Sequence, residues 1–564
     1  MRKRRTKNAG GARAARLRLP ALRLPLLALA CALLAGLPFL GKAYTVDDPT
    51  FIRVTENILE NPLRPLAGTW NWFGETTGLF FVDTNPPLPS YVLSPFAAAF
   101  GFSGVSLHAG MLLFLVLLAF SMASLSRRFA GGSAWPVLFV MLSPAVVVSG
   151  NLMRDVPMTA FFAASVALFV AGTDRDRPGL LAAGASLAGC AFLSKYSGAL
   201  AFGVLAAYPL LRGRFKPLLW LPLGLVLPGL WFAQNLHVHG ITHLGHLLST
   251  TRPHLPWPDP AINALTALGA SCLVLPALLA ALARGGHRTR LAVALATGLL
   301  AALLARLWHG ESVGGQYLFW TFAGGALLGG LGAGWMKAGH GNEPVGGGQE
   351  SDLQTNPGRD DAFLTLWVLA VVGFSVFGAP FQAVRHLIPA LAPLCLLGVR
   401  QIHRAGAGRA VRALLVLGLS AQAVLAFWAG YADARSAGVY RTYAQEAAEK
   451  YAGHPGRVWF GGHWGWQRYA LEAGWEPLAV NGPQPEKGDL VILPERIHRG
   501  RIAPGLMDRL GLAEKRSFPA APGLFTMNPE AGASFYLLTG PRTPFAFSWE
   551  PGVAEVFRVY EVVS

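Results

Sequence analysis

The sequence predicts a polytopic α-helical membrane protein of about 13 transmembrane helices with a small C-terminal α/β domain outside the membrane. Three observations lead there. Of 564 residues, 53% are hydrophobic and only 14% charged, too apolar for a soluble chain of this length. Apolar runs near the ~20 residues that cross a bilayer recur from about Leu22 to beyond Val411. From Tyr431 onward the composition becomes mixed and no spanning run follows.

Charge orders these spans. The net charge of +17 would suit a nucleic-acid partner in a soluble protein, but its distribution does not. Basic clusters at Arg2 to Arg5, Arg127-Arg128, Arg175 and Arg177, Arg212 to Lys216, Arg284 to Arg290 and Arg400 to Arg409 fall in alternate loops. Positive loops stay cytoplasmic, so the N-terminus is expected inside and the C-terminus outside. The division that follows is a basic cytoplasmic tail over residues 1–20, which meets membrane lipids, and a membrane-embedded catalytic domain over 21–430. The latter includes a first outer loop at 42–105, and an extracytoplasmic α/β domain covers 431–564. The first apolar run is expected to remain as an uncleaved anchor. Cys31, Cys190, Cys272 and Cys395 each lie in an apolar run, which argues against a disulfide framework.

The first outer loop carries the densest chemistry. It opens with the adjacent carboxylates Asp47 and Asp48 and continues as a helix-like stretch from Asp48 to Leu59, with Phe51, Val54, Ile58 and Leu59 at helical spacing. That face is expected to lie on the bilayer, holding the acidic pair at the membrane surface. On the local residues alone, Asp47 or Asp48 serves equally well as the N-cap of this helix, with Pro49 in its first turn. The loop closes with Asn85-Pro86-Pro87-Leu88-Pro89-Ser90-Tyr91. Asp155 is expected on a tight outer hairpin level with Asp47, where a carboxylate is costly unless it works or is paired. Pairing with Arg154 is the structural alternative.

Lys195 sits between apolar runs near the outer surface, placed either to snorkel or to meet an anion. His239, His243 and His246 would share a face if one helix carried them, a pattern that can hold zinc. Residues Gly339 to Pro357 read as a flexible linker. Beyond it, Arg385 lies at the mouth of a span on the side where positive charge is disfavoured, and arginine grips phosphate bidentately. In the C-terminal region, Thr442 to Tyr451 reads as helix, Arg457 to Phe460 and Asp489 to Leu493 as buried strands, with a helix opening after His463.

These residues resemble the GT-C membrane glycosyltransferases, most closely the group of protein O-mannosyltransferases, lipid A aminoarabinose transferase and the RgtA/B/C/D-like enzymes. Asp47-Asp48 with Phe51 and Ile58-Leu59 is similar to the acidic motif of that group's first outer loop. Asn85-Pro86-Pro87-Leu88 resembles its His-Pro-Pro-Leu, Ser143-Pro144 through Asp155-Val156-Pro157 its third-span signature, and Arg385-His386-Leu387-Ile388-Pro389 its Arg-Tyr-Leu-Leu-Pro. Asn85 replaces the usual His, and His108 stands where an Arg is common. The resemblance implies transfer of a sugar from a polyprenyl-phosphate donor to a lipid, glycan or protein acceptor at the outer face of the cell membrane, usually with inversion. It assigns Asp47 as base, Asp48 and Asp155 to positioning, Lys195 and Arg385 to the donor phosphate, and Asn85, Tyr91 and His386 to substrate contacts. It assigns no metal ligand, while leaving room for a divalent metal, and implies no nucleic-acid partner.

A multi-span transporter of a lipid-linked or anionic substrate is the rival reading, since intramembrane charge also marks transport pathways. Its usual mark, interrupted spans repeated in two halves, is not evident, and the polar residues concentrate in outer loops.

Overall fold

The structure, a computed structural model, describes residues 23–250, 256–338, 357–406 and 408–564. The basic tail, His254 and positions 339–356 of the linker lie outside the described residues.

Twenty α-helices follow one another along the described residues. They are α1 Arg23–Gly36, α2 Asp48–Glu60, α3 Leu79–Val82, α4 Leu88–Phe100, α5 Gly104–Phe129, α6 Trp135–Met141, α7 Pro144–Val148, α8 Asp155–Arg175, α9 Pro178–Ser194 and α10 Leu200–Leu210. Next come α11 Val226–His239, α12 His243–Thr250, α13 Asp259–Ser271, α14 Leu275–Arg284, α15 Arg288–His309 and α16 Gly315–Ala338. The last four are α17 Pro357–Phe377, α18 Ile388–Arg404, α19 Arg409–Tyr451 and α20 Gly465–Glu472. Among the described residues, six helical segments are long and apolar enough to span a membrane, or seven if α13 and α14, bent by 86°, form one broken span. That is fewer than the apolar runs suggest. Backbone breakers divide several runs: the one expected from Ala134 splits into α6 and α7 at Ser143-Pro144, where proline removes an N–H and clashes with the preceding turn.

The first outer loop holds α2, a two-stranded hairpin (Thr69–Asn71 with Thr76–Gly78), α3 and α4. The expected helix forms, starting at Asp48 with Pro49 in its first turn. Its apolar face, however, does not lie on a bilayer. Phe51, Val54 and Ile58 are 2%, 0% and 5% exposed, while Leu59 points outward at 43%. Val54 and Ile58 pack with Leu66, Leu79, Phe80, Phe192 and Trp231. The loop folds back over the membrane helices, so hydrophobic burial is satisfied within the chain.

Residue 431 falls inside a helix: α19 runs 43 residues without interruption into the C-terminal region. There, five strands lie in the order Glu476–Pro477, Val458–Phe460, Leu490–Pro494, Gly552–Val562 and Leu510–Ala520. The first three pair in parallel, and Gly552–Val562 runs antiparallel to both its neighbours. Leu490–Pro494 is buried throughout, as a central strand covered on both faces should be. Helix α20 docks this sheet on the first outer loop. Gly465 approaches the Tyr44 carbonyl so closely that a Cβ would lie 1.8 Å from it, the Tyr469 hydroxyl accepts from Tyr44 N–H at 2.8 Å, and Arg468 pairs with Glu56 at 2.7 Å.

Candidate functional site

The approach to Asp47 is strained. Val46 has φ of +42°, a region that β-branched residues rarely adopt and that persists only where surrounding packing imposes it. The turn is held by the next carboxylate. Asp48 is fully buried; its Oδ2 accepts from Thr45 N–H at 2.8 Å and its Oδ1 from Leu152 N–H at 3.0 Å, tying the start of α2 to the hairpin before α8. Burial pushes the Asp48 carboxyl up to about 7, against the pull of those two backbone donors and of Lys42. Both oxygens are occupied by backbone donors, one local and one 104 residues away, so Asp48 shapes the turn.

Asp47 is free of such duties. It stands at the N-cap position of α2 and makes no side-chain capping bond. Among the described residues it enters no ion pair, leaving its carboxylate available. Burial raises its pKa; Arg385 and Lys195 oppose that rise, and Asp83 and Asp155 add to it. A raised carboxylate without a hydrogen-bond donor is a better proton acceptor than an ordinary surface aspartate.

Those four neighbours define the site. Asp155, at the first turn of α8, accepts from Lys195 Nζ at 2.6 Å and meets Arg385 Nε at 3.2 Å. Lys195, just past the end of α9, and Arg385, in the 3-10 turn Val384–Leu387, thus converge on one carboxylate across 190 residues of sequence. Arg154 does not pair with Asp155. It is 1% exposed, with its guanidinium 4.0 Å from the Phe51 ring centroid and Nη2 donating to Ser90 Oγ at 2.8 Å. Asp83 accepts from Asn85 N–H at 2.9 Å while its other oxygen, buried, has no partner; burial raises its carboxyl to about 6.

The remaining sequence candidates divide. His386 follows Arg385, within electrostatic reach of Lys195, Arg385 and Asp155, and its buried Nδ1 has no hydrogen-bond partner. The Asn85 amide donates to Thr84 Oγ1, at the edge of the acidic loop. Tyr91 donates to the Pro62 carbonyl, and no hydrogen bond or ion pair among the described residues joins it to the charged cluster. The histidine face breaks up: the chain turns at Gly240, with φ of +72°, so His239 closes α11 and His243 opens α12. His243 bonds the Tyr196 hydroxyl at 2.8 Å and the Asp83 carbonyl at 2.7 Å, and among the described residues no three His, Cys, Asp or Glu side chains are grouped to hold a metal.

An apolar cavity of about 500 Å³, whose lining starts at Tyr196, the residue after Lys195, opens between α10 and α17. Tyr196, Leu200 and Val204 line one wall, and Phe363, Trp367 and Phe374 the other. Sequence reasoning missed this groove, gave no site role to Asp83 or, from the C-terminal region, to Tyr536, whose carbonyl accepts from Arg385, and considered Arg154 only as a partner for Asp155. The position of Asp83, two residues before the Asn85-Pro86-Pro87 turn, was the available signal for one of them.

Residues 84–230 match the family model of dolichyl-phosphate-mannose-protein mannosyltransferases, so over that stretch the resemblance to the GT-C group is borne out. No curated protein matches the chain. Among solved structures, the chain is similar to ArnT from Cupriavidus metallidurans, determined in the apo state and bound to undecaprenyl phosphate. In both, identity is 16%, 83% of this chain and 92% of the other are covered, and the TM-score is 0.38. It is also similar to the arabinofuranosyltransferase AftD from Mycobacteria, at 14% identity over 97% of this chain and 40% of that one, TM-score 0.45. The archaeal oligosaccharyltransferase AglB from Archaeoglobus fulgidus, in complex with an inhibitory peptide and a dolichol phosphate, is 11% identical over 81% and 64%, TM-score 0.39.

Proposed function

We propose, from the family match over residues 84–230, that the chain is a membrane glycosyltransferase that moves a sugar from a polyprenyl-phosphate donor to an acceptor hydroxyl at the extracytoplasmic face. The observation that carries this reading is the convergence of Lys195 and Arg385 on Asp155, next to an uncapped Asp47 and beside an apolar groove. A donor of this class has three parts: an apolar chain, a phosphate and a sugar. The groove between α10 and α17 suits the chain, the two cations suit the phosphate, and Asp47 suits the reacting hydroxyl.

In the reaction, Asp47 takes the proton of the acceptor hydroxyl as its oxygen attacks the anomeric carbon. The bond from that carbon to the phosphate oxygen breaks with inversion, and its electron pair leaves on the polyprenyl phosphate. A phosphate is a stable leaving group, so Lys195 and Arg385 stabilise the departing charge in place of a general acid. Asp155 keeps the two cations together while the site is empty, when their mutual repulsion would otherwise spread them.

Placement on the outer face is supported by the opposite end of the bundle. Arg128, Arg212 and Arg400, from three of the basic clusters, all pair with Asp360, and Arg400 and Arg404 pair with Asp361. Helix α5, 26 residues long, begins beside Lys42 and carries Arg128 one residue before its end, about 36 Å along the helix. The shared basic end is the cytoplasmic one by the positive-inside rule, which leaves Asp47 outside.

The test is to incubate purified protein with polyprenyl-phosphate sugars and follow release of polyprenyl phosphate. Release that depends on Asp47 and on an added acceptor is expected. Movement of intact lipid-linked sugar across proteoliposomes without cleavage would replace this reading by transport.

A further inference from the structure

Arg385 is held from a part of the chain with no membrane span. The backbone of residues 382–384 bonds to the segment 535–538 of the C-terminal region: Val384 N–H donates to the Phe535 carbonyl at 3.4 Å, and Leu538 N–H to the Gln382 carbonyl at 2.9 Å. Between these two contacts, Arg385 Nη1 donates to the Tyr536 carbonyl at 2.6 Å. The Tyr536 ring is itself anchored. Its hydroxyl donates to Asp433 Oδ2 at 2.7 Å and accepts from Asn151 Nδ2 at 3.0 Å. Asp433 belongs to α19 and is paired with Lys42, which opens the first outer loop. Asn151 lies next to Leu152, whose N–H holds Asp48. Tyr536, Arg385, Asp433 and Asn151 are all buried.

The guanidinium is therefore committed on two sides. Nη1 donates to the Tyr536 carbonyl and Nε lies 3.2 Å from Asp155 in an ion pair without a hydrogen bond, while Nη2 enters no hydrogen bond among the described residues. A planar guanidinium held at one nitrogen by a hydrogen bond and at another by an ion pair is restricted in where its third nitrogen can point. We propose that the C-terminal domain completes the donor site: Tyr536, locked by Asp433 and Asn151, is a positioning residue that orients Arg385 so that Nη2 is left for the donor phosphate. This rests on the reading of Arg385 as a phosphate ligand. It gives the C-terminal domain a share in donor binding, and explains why that domain is stitched to the site by side chains from α19, the hairpin before α8 and the first outer loop.

Tyr536→Phe removes the hydroxyl anchor but keeps the carbonyl and the ring. In the full-length purified protein, it should weaken binding of polyprenyl phosphate about tenfold, as a misdirected Arg385 loses one well-placed hydrogen bond to the phosphate, and raise KM for the donor more than it lowers kcat. Asn151→Ala, which removes one hydroxyl partner without altering Tyr536, should act in the same direction and serves if Tyr536→Phe does not fold. The deciding measurement is a double-mutant cycle with Arg385→Ala. Because Tyr536 acts through Arg385, adding Tyr536→Phe to Arg385→Ala should cost no further affinity. Equal weakening in both backgrounds, or unchanged affinity in Tyr536→Phe and Asn151→Ala, overturns the proposal while leaving Arg385 as the ligand. Unchanged affinity in Arg385→Ala overturns the phosphate reading of Arg385, and this proposal with it.

Discussion

Adjacent aspartates do different work here because their hydrogen bonds differ. Asp47 has no capping bond to lose, so Asp47→Asn should leave the protein folded and lower sugar transfer by roughly 10²-fold or more. Transfer rates at matched amounts of folded protein measure this. Since burial raises the Asp47 pKa, the acid limb of the wild-type rate profile should lie above the ordinary carboxylate range of about 4. The rate falls as pH drops through that limb, because a protonated base cannot accept the proton. Asp48→Asn should instead act on stability. An amide offers one acceptor to two buried N–H donors, from Thr45 and Leu152, and the unmatched one costs about 1–3 kcal/mol. The sign of its pH effect follows from a pKa raised to about 7: the stability it contributes is fully present below about pH 4 and is lost as pH rises through 7. Thermal unfolding in detergent at pH 5 and pH 8 should show a lower melting temperature for Asp48→Asn and a smaller difference between the two pH values than in the wild type.

At the scale of elements, the site is a junction of ends. Helix α8 begins with Asp155, α9 ends at Lys195, and the 3-10 turn carrying Arg385 leads into α18. Each of these breaks was visible in the sequence as a polar residue between apolar runs, and each was placed close to where it occurs. Which ends meet was not visible, because no local pattern encodes a contact such as that of Arg385 with Asp155, 230 residues apart. Asp155→Asn tests the junction. It leaves the buried Arg385 and the half-buried Lys195 facing each other without their shared counter-charge, and breaking a fully buried pair costs roughly 3–5 kcal/mol, an upper bound here. A fall in melting temperature is expected, partly restored by saturating polyprenyl phosphate, whose own charge replaces the lost carboxylate.

At the scale of the whole molecule, two charge clusters at opposite ends of the bundle hold it together. At the end away from Asp47, Asp360 is 1% exposed and receives Arg128, Arg212 and Arg400. Asp360→Asn should lower the melting temperature strongly while sparing transfer per folded molecule, since the cluster lies about one helix length from the chemistry. Equal loss of both properties in proportion would place this end in the catalytic cycle instead. The same separation makes the topology measurable: cysteines introduced near Arg127 and in the C-terminal region should label from opposite sides of the membrane.

Composition and local pattern alone determined that the chain is a membrane protein, that α2 starts at Asp48 and that strands lie near residues 458–460 and 490–494, and they put forward Asp47, Asp155, Lys195 and Arg385 as candidates for the chemistry. Apolar runs, proline positions and isolated charges act over a few residues, so they can be read one window at a time. Only the tertiary structure decided the rest. The helical face of Phe51, Val54 and Ile58 turned inward because other parts of the chain offered it a better-packed surface than lipid. Asp48 became the clamp and Asp47 the free carboxylate because Leu152 N–H, 104 residues away, arrived at one and not the other. Tyr536 came to hold Arg385 through a backbone carbonyl, a group that every residue carries and that no sequence signal distinguishes.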